Sequence, residues 1–153
     1  KYIEMPDSII SVDEMAFTGC DSLEYNEYNN GLYLGNEENP YALFVKAKNK
    51  EITSCSVNEN TKAICDRAFM FCENLSSVSL LIGLKGIGEQ AFSYCENLDI
   101  LEIPSSVAFV ADYAFSDMSA VLLCGAESQP EGWSAKWNKS SDVLVRWGVS
   151  NVG

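Results

Sequence analysis

The 153-residue chain has no histidine. That absence removes the usual general base, the commonest metal ligand and the ordinary Ser-His and Cys-His nucleophile pairs together. Basic residues are scarce as well: ten Lys and Arg stand against 22 Asp and Glu, for a net charge of −12. Phosphate binding needs clustered cations, so nucleic acid, heparin-like polyanions and anionic membranes are poor partners. The one basic cluster, Lys46, Lys48 and Lys50, has the spacing of a solvated strand edge. No run approaches the ~18 apolar residues of a membrane-spanning helix, so no membrane insertion is expected. A basic-then-apolar leader is also missing. Lys1 to Pro6 reads instead as the end of a repeat strand, as expected of a piece of a longer chain. Carboxylate pairs such as Glu37-Glu38 fall in an expected turn, a poor platform for acid–base work. No catalytic residue, cofactor site or metal site is expected, and the chain is not read as an enzyme.

What the chain does have is a cassette met four times: an Ala-Phe pair, Cys three residues after the Phe, and Leu three further on. It runs Ala16-Phe17, Cys20, Leu23; Ala68-Phe69, Cys72, Leu75; Ala91-Phe92, Cys95, Leu98; and, degenerate, Ala114-Phe115, Met118, Val121. The last three copies are spaced by 23 residues. A fixed period in the low twenties marks a solenoid whose units bury their apolar faces only by stacking. Before each Ala-Phe pair lie strings such as Leu75-x-x-Val78-x-Leu80 and Leu98-x-x-Leu101-x-Ile103, matched further on by Val121-x-x-Cys124-x-Ala126. The alternation at their ends predicts short parallel strands with one face inward. Asp13 to Phe17 and Gly88 to Phe92 read as one or two helical turns, with acidic residues at the positive helix end.

Six cysteines raise the question of a disulfide framework or a zinc site. Cys20, Cys72 and Cys95 share one apolar column, and Cys55 and Cys124 another. At least five are therefore expected as buried hydrophobes. A bridge between adjacent coils is the alternative, disfavoured because same-column Cβ vectors run parallel. Metal is disfavoured by the absence of any C-x-x-C pair.

Ile103-Pro104-Ser105-Ser106-Val107 followed by Ala114-Phe115, and Ala91-Phe92-Ser93-Tyr94-Cys95-Glu96-Asn97-Leu98, resemble the BspA-type leucine-rich repeat, over about residues 1–23 and 52–126. Asn58 and Leu81 depart from it where the pattern carries proline. The resemblance implies an α/β fold, a right-handed β-α superhelix. It also implies an extracellular or bacterial cell-surface setting and a role in adhesion or protein binding. It brings no catalytic residues. The expected organisation is one domain, with repeat units at about 1–23, 52–75, 75–98 and 98–121. An inserted hairpin takes about 24–51 and a C-terminal cap about 122–153.

Three surfaces are candidates for a partner. Gly31 to Gly35 and Tyr41 to Lys46 predict the strands of a hairpin turning at Asn36 to Pro40. If it projects, Tyr33, Tyr41 and Phe44 form a contact surface; if it folds back as a flap, they are hidden. The outward strand residues Tyr2, Glu4, Ser54, Ser56, Ser77, Ser79, Ile100 and Glu102 make a serine-rich, mildly acidic strip. That strip is either the ligand face or a passive solvated sheet. The tail carries Trp133 and Trp137 on one face of a short helix expected after Pro130, then a closing strand over Val143 to Trp147. It is expected to lid the last coil, and exposed rings would instead stack on sugar. The leading expectation is a non-enzymatic module with a protein partner, as a monomer or weak oligomer. A passive spacer is the alternative, and a glycan site on the tryptophans the third.

Overall fold

The computed structural model describes residues 3–4, 6, 8–20 and 22–150. Strands β1 (Asn26–Tyr28), β2 (Gly31–Leu34) and β3 (Leu43–Ala47) form an antiparallel meander. A β-solenoid follows. In its coils β4 (Ser54–Ser56) leads to β5 (Ala63–Ile64), β6 (Ser77–Ser79) to β7 (Gly86–Ile87), and β8 (Ile100–Ile103) to β9 (Phe109–Val110). Strand β10 (Val121–Cys124) leads to a parallel bridge between Trp133 and Val110, and β11 (Leu144–Arg146) ends the stack. Every ladder between coils is parallel.

The coils contain almost no helix, against the β-α superhelix expected. Among the described residues one 3-10 turn stands, Glu14–Phe17. The reason lies in where the amides point. In the second cassette Arg67, Phe69 and Phe71 donate to the carbonyls of Glu89, Ala91 and Ser93 in the next coil. The residues between them bond backwards: Ala68 to Cys65, Met70 to Arg67 and Cys72 to Phe69. An α-helix would need every amide for its own ladder; here every second one belongs to a neighbouring coil. Left-handed residues enforce the pattern, at Arg67, Gln90 and Tyr113 (φ 52–56°) and at Phe71, Tyr94 and Asp117 (φ 52–62°). No helix accommodates these angles.

Inside the coils runs a column of stacked rings. Phe44, Phe69, Phe92 and Phe115 follow one another at 4.5, 5.0 and 5.4 Å between centroids, with planes 22°, 16° and 9° apart. Ala68, Ala91 and Ala114 sit fully buried beside them. The buried hydroxyls are satisfied: Ser93 bonds Ser116 at 2.7 Å, and Thr61 donates to the Tyr41 carbonyl at 2.9 Å. Edge-on rings close both ends of the column. Tyr33 meets Phe44 at 87° and Trp137 meets Phe115 at 88°.

In the N-terminal third one of the two alternatives for the hairpin falls, and so does the coil position of the first cassette. Residues 24–51 do not project from the solenoid. They form the three-stranded meander, and β3 pairs in parallel with β5, placing Phe44 at the end of the phenylalanine column. The coil position expected for the first cassette is therefore already filled. Val12 and Phe17 instead cover a small outer cluster of Leu43, Ala63 and Cys65, and Ala16 and Cys20 are exposed. The chain passes close over Gly86, where any Cβ would collide with the Ile10 carbonyl.

A third correction concerns register. β10 pairs Val121 with Ile100 and Cys124 with Ile103, a step of 21 residues where 23 was expected. Cys124 thus lies in the Ile103 column, not with Leu101, and remains buried. Leu122 takes the Leu101 column instead. The tail forms turns where a helix was expected after Pro130, and its closing strand is β11.

Candidate interaction surface

The outward face of the strands is built by simple alternation. In β4 and β6 the burial pattern is exposed–buried–exposed, with Cys55 and Val78 inward. In β8 Leu101 and Ile103 point in while Ile100 and Glu102 point out. In β10 Leu122 and Cys124 are buried, and Val121 and Leu123 are half-exposed. Cross-strand pairing aligns two outward columns: Ile100, Val121 and Leu144; and Glu102, Leu123 and Arg146.

The face has two halves. Its first half, Ser54, Ser56, Ser77 and Ser79, is all serine. Its second half is aliphatic, with Ile100 56% and Leu144 54% exposed on either side of Val121. The halves meet at a break in the hydrogen-bonded ladder, since β6 and β8 belong to different sheets. The aliphatic half was missed by sequence because the expected register turned Val121 inward. The alternation of Val121, Leu123 and of Leu144, Arg146 was the available signal.

The other sequence-predicted residues scatter. Tyr33 and Phe44 are fully buried and cannot form a contact surface: Tyr33 seals the ring column, and Phe44 is part of it. Tyr41 is half-buried against the core, 5.5 Å from Tyr33. Glu4 is exposed beside the Asn36–Glu38 turn, away from the serine strands. Tyr2 lies outside the described residues. Where these two were expected, the tight turn Asn29-Asn30 covers the β4 edge. Both asparagines have positive φ, as a hairpin turn of this type requires. Asn29 accepts from the Ser56 amide at 3.1 Å and Asn30 donates to the Ser54 carbonyl at 3.0 Å. The tripeptide Asn29-Asn30-Gly31 was the signal in the sequence.

Trp133 and Trp137 are buried, at 4% and 3% exposure. With Trp147 they form a cluster of crossed rings over Phe115. The Trp133 indole donates to the Val107 carbonyl at 3.0 Å and that of Trp137 to Gln129 at 3.1 Å. No ring face is left for a sugar, so the glycan reading on these residues is withdrawn. The lysine trio is likewise engaged. Lys48 pairs with Glu27, Lys50 donates to the Met70 carbonyl, and Lys46 sits 5.3 Å above the Tyr25 ring.

The buried cysteines offer no nucleophile. All six are free, and five are buried, Cys20 being the exposed one. Burial pushes the thiols of Cys55, Cys65, Cys95 and Cys124 up to about 12, and raises Cys72 as well. A thiol held so far from ionisation is inert. Among the described residues no cluster of Cys, Asp or Glu could hold a metal, and no helix is long and apolar enough to cross a membrane.

No curated protein and no solved structure matches the chain. The model of the BspA type leucine rich repeat region matches residues 1–122 in six copies. That span includes the meander, in keeping with β3 occupying a coil position. By this match, and by columns of Ala, Phe and Cys that recur inside its coils, the chain belongs to the BspA-type leucine-rich repeat family.

Proposed function

We propose that the chain is a non-enzymatic binding module of a bacterial surface or secreted protein, and that it engages a protein partner through the outward face of β8, β10 and β11. The observation that carries this reading is the exposed aliphatic column Ile100, Val121 and Leu144. A solenoid that buries Phe44, Phe69, Phe92, Phe115, Trp133, Trp137 and five cysteines leaves Ile100 and Leu144 in water and Val121 half-exposed between them. Contiguous exposed apolar surface on a soluble domain marks an interaction site. Membership of the BspA-type leucine-rich repeat family, typical of bacterial surface proteins, is consistent with the same reading.

The test is capture of the purified chain on immobilised extracellular-matrix proteins and glycans at physiological salt. Saturable protein binding is expected, and Ile100→Asp with Leu144→Asp should abolish it while Ser54→Asp with Ser77→Asp leaves it intact. Loss in the serine variant alone would move the site. The serine half favours a second reading, a spacer that presents other domains, because small polar residues form poor hot spots. Silence on every target, with the chain folded, selects that reading.

A further inference from the structure

The aliphatic half of the strand face is self-complementary. Along the stack its first column reads Ile100, Val121, Leu144 and its second Glu102, Leu123, Arg146. A two-fold axis laid parallel to the strands and over β10 reverses the order of coils but keeps position along the strand. It sets Ile100 against Leu144 of a second copy, Val121 against Val121 and Leu123 against Leu123. It sets Glu102 against Arg146 as well, and by symmetry does so twice. Within one copy Glu102 and Arg146 are two strand spacings apart, roughly 10 Å, and among the described residues neither forms an ion pair. Each charge therefore lacks at home the partner that a second copy supplies.

We infer that this chain self-associates face to face through β8, β10 and β11 as a two-fold dimer. The inference rests on the proposed use of this face as an interaction surface and goes beyond it in naming the occupant. The serine strands β4 and β6 lie outside the overlap in both copies, in keeping with their polar character. Three short strands bury much less than the roughly 800 Å² per partner of a standard interface. Two copies at −12 also repel one another. The dimer is therefore weak.

Sedimentation equilibrium of the 153-residue chain tests it, from about 10 µM to about 1 mM, the range a small interface requires. The average mass should climb from 16.8 kDa towards twice that value. Glu102→Arg and Arg146→Glu should each weaken association by about tenfold, since both charge contacts become repulsive. The first variant carries a positive charge at both positions and the second a negative charge at both. Mixed, they should therefore restore association, because every contact across the axis again joins opposite charges. Net charge cannot produce this pattern: Glu102→Arg makes the chain less acidic yet is expected to associate less. Val121→Asp, which faces itself across the axis, should leave a monomer. These three positions are exposed or half-exposed, and unchanged melting curves would show the variants folded. A constant monomer mass across the range, or association indifferent to the charge variants, overturns the dimer. If the chain stays monomeric yet still binds a matrix protein through Ile100 and Leu144, the dimer alone falls and the binding module stands.

Discussion

The first cassette and the third have nearly the same motif and opposite fates. Ala91, Phe92 and Cys95 are fully buried, Phe92 lying between Phe69 and Phe115. Ala16 and Cys20 are exposed, and Phe17 only leans on an outer cluster. Their backbones differ in the same sense. Ala16, Thr18 and Cys20 make the backward bonds to Asp13, Met15 and Phe17, matching Ala68, Met70 and Cys72. Among the described residues no backbone amide of this segment donates to a neighbouring coil, and the segment closes into a 3-10 turn. Where neighbours supply carbonyls, the same motif unwinds into linked turns that stitch coils together. The motif thus specifies a buried column only where coils stand on both sides; alone it shows its intrinsic helical leaning.

The sharpest way to break this contrast is to truncate both phenylalanines. Phe92→Ala should cost about 3–5 kcal/mol, because the coils on either side cannot collapse into the hole. Phe17→Ala should cost about 1 kcal/mol, in line with half-burial of one ring. Denaturant unfolding reads both, and equal losses would show that the first cassette stacks after all.

A smaller effect is expected in alkali. The buried thiols lose protons at about 12 in the fold and near their ordinary value of 9.0 once unfolded. Between these values the unfolded chain binds fewer protons, so stability is complete below pH 9 and falls as pH rises towards 12. Cys95→Ala should flatten that decline, and an identical slope in the variant would argue against the buried-thiol assignment.

The mildest probe leaves the fold untouched. A thiol reagent should modify one cysteine promptly in the native chain, Cys20, and all six after unfolding. Mass spectrometry that found Cys72 or Cys95 labelled alongside Cys20 would erase the distinction between the cassettes.

Periodicity made much of this molecule legible. The step of 23 residues located the Ala, Phe and Cys columns of the later coils, and alternation placed Ser54, Ser56, Ser77, Ser79, Ile100 and Glu102 outward. Three things were hidden for physical reasons. Phe44 belongs to no Ala-Phe pair, so nothing local showed that it would extend the ring column and displace the first cassette. Helical turns are the natural reading of Gly-Glu-Gln-Ala-Phe, because local preference knows nothing of carbonyls one coil away. The two residues dropped before β10 preserve strand parity, so Leu122 and Cys124 still alternate sensibly while every partner shifts. That slip concealed the aliphatic column, and with it the candidate site.

The amide pattern in the turns has a mechanical consequence. Each coil is fastened to the next by amide hydrogen bonds in the turns whose ends are 22 or 23 residues apart along the chain, and few fasteners reach further. Tension applied at one end therefore acts on a single seam at a time, as in a zip. Each coil released would lengthen the chain by about 80 Å, given ~3.3–3.6 Å per extended residue. Pulled along its axis, the domain should yield as an extensible tether in steps of one coil, with the closing ring clusters as the first points to give way.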